Sequence, residues 1–178
     1  MTPDASLRTA QRPMRVLLGG PIKAGFRDGT DFDARLRLYV DRLLTGLRAT
    51  GMVIDSAHEA EGFSRLPEGT VHAAVVRRDH QWLTGCDAYA CLLPLRDGTV
   101  YPSIGTGVEL GWATARGIPV IALVEVARMA AYSPFLRGLG SMFDVTLIDI
   151  DEAVADPAGF ADAIAAAVGT SVRARGAR

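Results

Sequence analysis

Three stretches of the chain carry residue types whose spacing could do chemistry. In Ser103-Ile104-Gly105-Thr106-Gly107-Val108-Glu109-Leu110-Gly111, a glycine-punctuated turn leaves an apolar run and enters a helical pattern. Glycines let backbone approach a ligand closely, and the free N–H groups at a helix start attract an anion. Ser103 can add a hydroxyl to that anion, and Gly105 leaves room for it. Glu109 is expected in the first helical turn, where the macrodipole favours its ionised form. A carboxylate beside such a cradle is placed to attack a sugar carbon. The same position equally suits a glutamate that only complements its helix dipole, and spacing does not separate the two.

The second stretch is Gly19-Gly20-Pro21-Ile22-Lys23-Ala24-Gly25-Phe26. It lacks both the G-x-G-x-x-G of a dinucleotide fingerprint and the Gly-Lys-Ser/Thr of a P-loop. Gly20 and Ile22 would suit a backbone-lined floor, with Lys23 as a phosphate counter-charge and Phe26 as a stacking face for a base. A plain surface turn fits nearly as well. The third stretch is Arg77-Arg78-Asp79-His80-Gln81-Trp82-Leu83. There Asp79 could protonate or hold a departing base, or be a solvated carboxylate on an exposed helix face with Trp82 and Leu83 turned inward. His58, at a strand end, is a candidate ligand contact or an ordinary surface histidine. Trp112 reads as core or interface.

These stretches need elements to hold them. Apolar runs at Met14 to Leu18, Met52 to Asp55, Ala88 to Leu93, Ile118 to Val124 and Phe143 to Ile148 read as strands. Helical spacing covers Phe32 to Thr50 through Leu36, Leu38, Val40, Leu43, Leu44 and Leu47, ending at Gly51. Further helices are expected over Thr70 to Leu83, Gly107 to Arg116 and Phe160 to Val168, with His58 to Thr70 as loop. Such βα alternation predicts a doubly wound, five-stranded parallel sheet of flavodoxin-like order 2-1-3-4-5 with helices on both faces. Ligands then bind beyond the carboxyl ends of the strands. The loops to examine are Gly19 to Gly29, Ala57 to Ser64, Pro94 to Gly105 and Glu125 to Leu139.

The 178 residues fit a single domain, 1–178, with 1–13 and 170–178 expected to be loose tails. A net charge of −1 gives no broad attraction for nucleic acid. The arginines at 8, 12, 15, 173, 175 and 178 read as solvated tail charges. Cys86 and Cys91 have no partner at metal-ligand spacing and read as reduced core thiols, so no metal is expected. Residues 1–13 lack a secretory apolar stretch, and no apolar run approaches the roughly 20 residues of a membrane span. A cytoplasmic location without membrane contact is the expectation by elimination.

Taken in order, the Gly-Gly-Pro-Ile-Lys start, Arg-Asp-x-x-Trp-Leu, Ser-x-Gly-x-x-x-Glu-Leu-Gly and the later Ser-Pro-Phe-Leu-Arg-Gly resemble the nucleoside 2-deoxyribosyltransferase superfamily. Within it the closer likeness is to the nucleotide N-hydrolase branch, over about Arg15 to Asp151. The resemblance implies that Glu109 is a nucleophile forming a covalent glycosyl-enzyme, and that Asp79 is the acid addressing the leaving base. Ser103, six residues before Glu109, stands where the transferases typically carry an aspartate for a free 5'-hydroxyl and the hydrolases a serine for a 5'-phosphate. An aspartate would repel that dianion. Lys23 stands where the hydrolases place a basic residue, usually arginine. Ser133 matches a serine that reaches the phosphate from a neighbouring subunit, which implies a homodimer with a shared site. Ala57-His58 and Glu61 are similar to the cytidylate hydrolases.

The expected reaction is hydrolysis of a nucleoside 5'-monophosphate, with a CMP-like pyrimidine nucleotide slightly favoured, to free base and (deoxy)ribose 5-phosphate. No cofactor is implied. Two alternatives stand beside it: base exchange by the same intermediate, and a nucleotide-binding module without turnover.

Overall fold

The computed structural model describes residues 12–22, 26–27, 31–63, 69–101 and 103–176. Five parallel strands form one sheet: β1 (Arg15–Gly19), β2 (Val53–Asp55), β3 (Ala88–Leu92), β4 (Val120–Val124) and β5 (Val145–Asp149). Their spatial order is β2-β1-β3-β4-β5, the expected 2-1-3-4-5. The order reverses beside β1, so the crevice beyond the carboxyl ends of β1 and β3 is the natural ligand position.

Strand residues alternate between two buried faces, which makes the sheet doubly wound. Val16, Leu18, Ala90, Leu92, Ile121 and Leu123 meet one core, under α1 (Ala34–Ala49) and the C-terminal helix α4 (Pro157–Gly176). Leu17, Tyr89, Cys91, Val120, Ala122 and Val124 meet the other, under α2 (His72–Gly85) and α3 (Ile104–Ala115). With both faces covered, β3 and β4 are apolar at every position, as a central parallel strand must be.

Local chemistry explains where the helices begin. The Asp33 carboxylate accepts from the N–H groups of Arg35 and Leu36 and caps α1. Tyr39 joins Leu36, Val40, Leu43, Leu44 and Leu47 on the buried stripe. Leu38, expected on that stripe, lies two residues from Leu36 and is exposed, because two residues turn a side chain about 200° around a helix.

Several expected boundaries shift. α3 begins at Ile104, three residues before the expected Gly107, because Ser103 is a competent cap. A one-turn helix, Ala57–Ala60, stands at the start of the expected loop after β2. The crossover from β4 to β5, expected as the loop Glu125 to Leu139, is built of 3-10 turns and the short helix Pro134–Gly138. α4 continues to Gly176, so residues 170–176 are helical where a loose tail was expected. Arg12 and Arg15 are not unpaired tail charges: Arg12, still largely exposed, pairs with Asp87 and Arg15 with Asp55, tying the start of β1 to its neighbours. Among the described residues no helix is long and apolar enough to cross a membrane.

Candidate active site

A cleft of about 550 Å³ opens beyond the carboxyl ends of β1 and β3. Gly19, Gly20 and Ile22 form its floor, α3 supplies one wall through Ser103 to Thr106 and Glu109, and α2 supplies Asp79. Glu61 reaches it from the turn after β2.

Glu109 sits in the second turn of α3, not the first, because the helix starts earlier than its glycines suggest. The helix dipole therefore does not account for its charge state. Burial pushes its carboxyl up to about 7, with Asp79 and Glu61 adding like-charge repulsion. Two groups oppose that rise: the Tyr89 hydroxyl, donating to Oε2 at 2.7 Å, and the charge of Arg78. A carboxylate with a proton affinity near neutrality is typical of a reacting group rather than a surface cap.

Tyr89 is the partner of Glu109 that the sequence conceals. It lies fully buried in β3, paired in register with Leu17 of β1, and reads as one more core residue. The available signal was its hydroxyl: a tyrosine in a strand buried on both faces needs a polar partner. Burial and the neighbouring Glu109 carboxylate raise the phenol well above its ordinary range, so it stays a donor. Gly19 makes the contact possible. A Cβ there would lie 2.6 Å from the Tyr89 hydroxyl and 2.9 Å from Oε2 of Glu109.

At the other end of the cleft the start of α3 presents backbone donors. The Ser103 hydroxyl accepts from Thr106 N–H at 3.2 Å and is hydrogen-bonded to Thr106 Oγ1 at 2.8 Å. The N–H groups of Ile104 and Gly105, in the first turn, precede any intrahelical acceptor. A Cβ at Gly105, which lines the cleft, would meet nothing within 4 Å, so the space above it is open. Thr106, buried and lining the cleft, is a second residue the sequence did not single out.

Asp79 lies in the cleft as expected, and accepts from Arg78 Nε at 2.8 Å. His58 does not reach the cleft. It is fully buried behind Gly20, where burial lowers its ring to about 4 and keeps it neutral. Its Nε2 donates to the Pro21 carbonyl at 3.2 Å, supporting the floor from beneath. Ser133 caps Pro134–Gly138 by accepting from Leu136 N–H and is not among the cleft-lining residues of its own chain. Lys23 and the side chain of Phe26 lie outside the described residues. Trp112 packs edge-on against His80 at 5.1 Å. Cys86 and Cys91 are free thiols, pushed by burial up to about 11 and 12.

A family model described as nucleoside 2-deoxyribosyltransferase matches residues 28–155. A protein of Thermofilum pendens, provisionally named 2'-deoxynucleoside 5'-phosphate N-hydrolase 1, is 29% identical over 143 residues, covering 79% of this chain and 90% of its own. A Syntrophotalea carbinolica protein with the same provisional name is 27% identical over 128 residues, covering 70% and 78%. Among solved structures, the Clostridium botulinum CMP N-glycosidase BcmB superposes with a TM-score of 0.54 at 21% identity, covering 79% of this chain and 94% of that one. The 2-deoxyribosyltransferase of Bacillus psychrosaccharolyticus does so at 0.55 and 18%, covering 79% and 90%. At those identities the two structures show the shared fold.

Proposed function

This chain belongs to the nucleoside 2-deoxyribosyltransferase family, and on that footing we propose that it hydrolyses the N-glycosidic bond of a nucleoside 5'-monophosphate. The observation that carries the reading is the pairing, in one cleft, of a buried carboxylate held by Tyr89 with an anion cradle at the start of α3. The phosphate would sit against Ser103 and the Ile104 and Gly105 N–H groups, with Lys23 as its proposed counter-charge. Binding energy gathered there, far from the breaking bond, would hold C1' against Glu109.

Glu109 attacks C1' while Asp79 addresses the departing base. Water then hydrolyses the glycosyl-enzyme and frees (deoxy)ribose 5-phosphate, with an oxocarbenium-like transition state in each step. The proposed chemistry calls on no cofactor. A pyrimidine, cytosine first, is the favoured base, and the provisional names of two relatives support nucleotide hydrolysis. Ser133 would act across a homodimer, reaching the phosphate held by the partner subunit. The soluble substrate suits a cytoplasmic enzyme.

Base exchange is the reading that the family description favours. It uses the same intermediate, but Ser103 stands where a carboxylate would hold a nucleoside, and a serine tolerates the phosphate dianion. The deciding experiment incubates the protein with ribo- and deoxyribonucleoside monophosphates and nucleosides, with and without a second base, and follows free base by chromatography. Glu109→Ala should abolish base release and keep nucleotide binding. Undiminished turnover in that variant would overturn the mechanism, and a new nucleoside formed from the added base would favour exchange.

A further inference from the structure

Arg78 lies behind the cleft wall and touches two of the carboxylates that line it. Its Nε donates to Asp79 Oδ1 at 2.8 Å, its Nη2 donates to Glu61 Oε1 at 2.8 Å, and its guanidinium stacks over the Trp82 ring at 4.7 Å. The first contact is unusual for neighbours on a helix, whose side chains diverge by about 100°. Arg78 meets Asp79 because Trp82, one turn on, gives the guanidinium a surface to lie on and Glu61 anchors its far edge. Glu61 itself comes from the turn after β2, so the arginine also joins that turn to α2. Only a planar fork can serve two carboxylates and an aromatic face together; an ammonium on a flexible stem cannot.

The charge around Glu109 makes this arrangement consequential. The described groups that bear on it are Asp79 and Arg78 from α2, Glu61 from the turn after β2, and Tyr89 of β3. The Cys91 thiol of β3 is also coupled to Glu109, but it is neutral. Three carboxylates thus share one cleft, and among the groups just named Arg78 is the single cation. Unopposed, such a cluster binds a proton somewhere.

We propose that Arg78 is a positioning residue of this site, a clamp that fixes Glu61 and Asp79 against each other and offsets their charge so that Glu109 can ionise and attack. The proposal rests on the glycosidase reading for its kinetic consequence and on geometry alone for the clamp.

The test has two independent arms. In the first, the Glu109 carboxyl is titrated by 13C NMR in the wild type, Arg78→Met, Arg78→Lys and Glu61→Gln. Arg78→Met should move the Glu109 midpoint up by about half a unit to one unit, and Glu61→Gln should move it down. Arg78→Lys should stay close to the wild type, because the charge is kept. Unmoved midpoints in both Arg78→Met and Glu61→Gln would overturn the charge offset. If Arg78→Met does not fold, Glu61→Gln alone decides this arm.

In the second arm, turnover of the nucleotide monophosphate is measured. Arg78→Met should lower kcat at pH 7 about tenfold or more with little change in KM, since the phosphate end is untouched. Arg78→Lys should recover the pH profile but not kcat, because the fork is lost; full recovery of kcat by lysine would overturn the clamp. Absence of wild-type turnover on every nucleotide would refute the glycosidase reading, while the NMR midpoints would still decide the role of Arg78.

Discussion

The Tyr89 hydroxyl donates to Oε2 of Glu109 at 2.7 Å, across a gap that exists because residue 19 has no side chain. One contact thereby links the centre of the sheet to the Glu109 carboxylate, and three chain segments must agree for it to form.

Removing that donor should move the pH dependence in a defined direction. A hydrogen bond to a charged group contributes about 1.5–3 kcal/mol, equivalent to about one to two pH units. Tyr89→Phe should shift the ascending limb of kcat/KM from near 7 to about 8 or higher. Turnover at pH 7 should fall about fivefold or more and recover toward pH 9. Superimposable pH–rate profiles of the two proteins would remove Tyr89 from the site.

The same carboxyl should be visible in stability. The folded Glu109, at about 7, binds its proton more tightly than the unfolded residue, near 4.5. Its contribution is therefore fully favourable below about 4.5 and is lost as pH rises through 7. Glu109→Gln has no charge to bury, so its Tm relative to the wild type should climb between pH 5 and pH 8. A constant Tm difference across that range would contradict the buried charge.

Ser103→Asp separates charge from capping. Aspartate is as good an N-cap as serine, so α3 and the thermal midpoint should be preserved. A second negative charge beside the cradle should raise KM for nucleoside monophosphates much more than for nucleosides. Equal losses for both substrate classes would place the phosphate elsewhere.

Gly105→Ala tests the cradle by filling it. The added methyl meets no protein atom within 4 Å, and alanine favours a helix over glycine by up to about 1 kcal/mol. The variant should melt no lower than the wild type, yet bind a nucleotide about tenfold or more weakly by calorimetry. Unchanged affinity would show that the ligand does not approach that backbone.

The sheet was legible because hydrophobic burial writes itself plainly into a chain. Five apolar runs separated by helical spacing allow few topologies, and Ala88 to Leu92 could only be central. The site was legible in part. Ser103 stands at an element end, where a ligand-facing position can be inferred, whereas Glu109 and Asp79 lie inside their helices and were legible through the motifs around them. The start of α3 was misplaced because glycines 105 and 107 look like a turn, whereas the Ser103 cap overrides their weak helix propensity. That single shift of boundary removed the dipole argument for Glu109 and left burial as the cause of its behaviour. Tyr89 and Arg78 were hidden for another reason. What each does depends on a partner distant in sequence, Glu109 for one and Glu61 for the other, and no local pattern encodes that meeting.

The place of Tyr89 in the inner core has one more consequence. Its neighbours in that cluster are Leu17, Leu83, Cys91 and Ala113, all buried. The proton affinity of Glu109 is therefore a gauge of how well that face of the sheet is packed. A cavity opened under α2 or α3, or pressure applied to the whole protein, would register as a displaced titration curve before any secondary structure is lost. Drift in the packing of that core is then felt in the working pH as well as in stability.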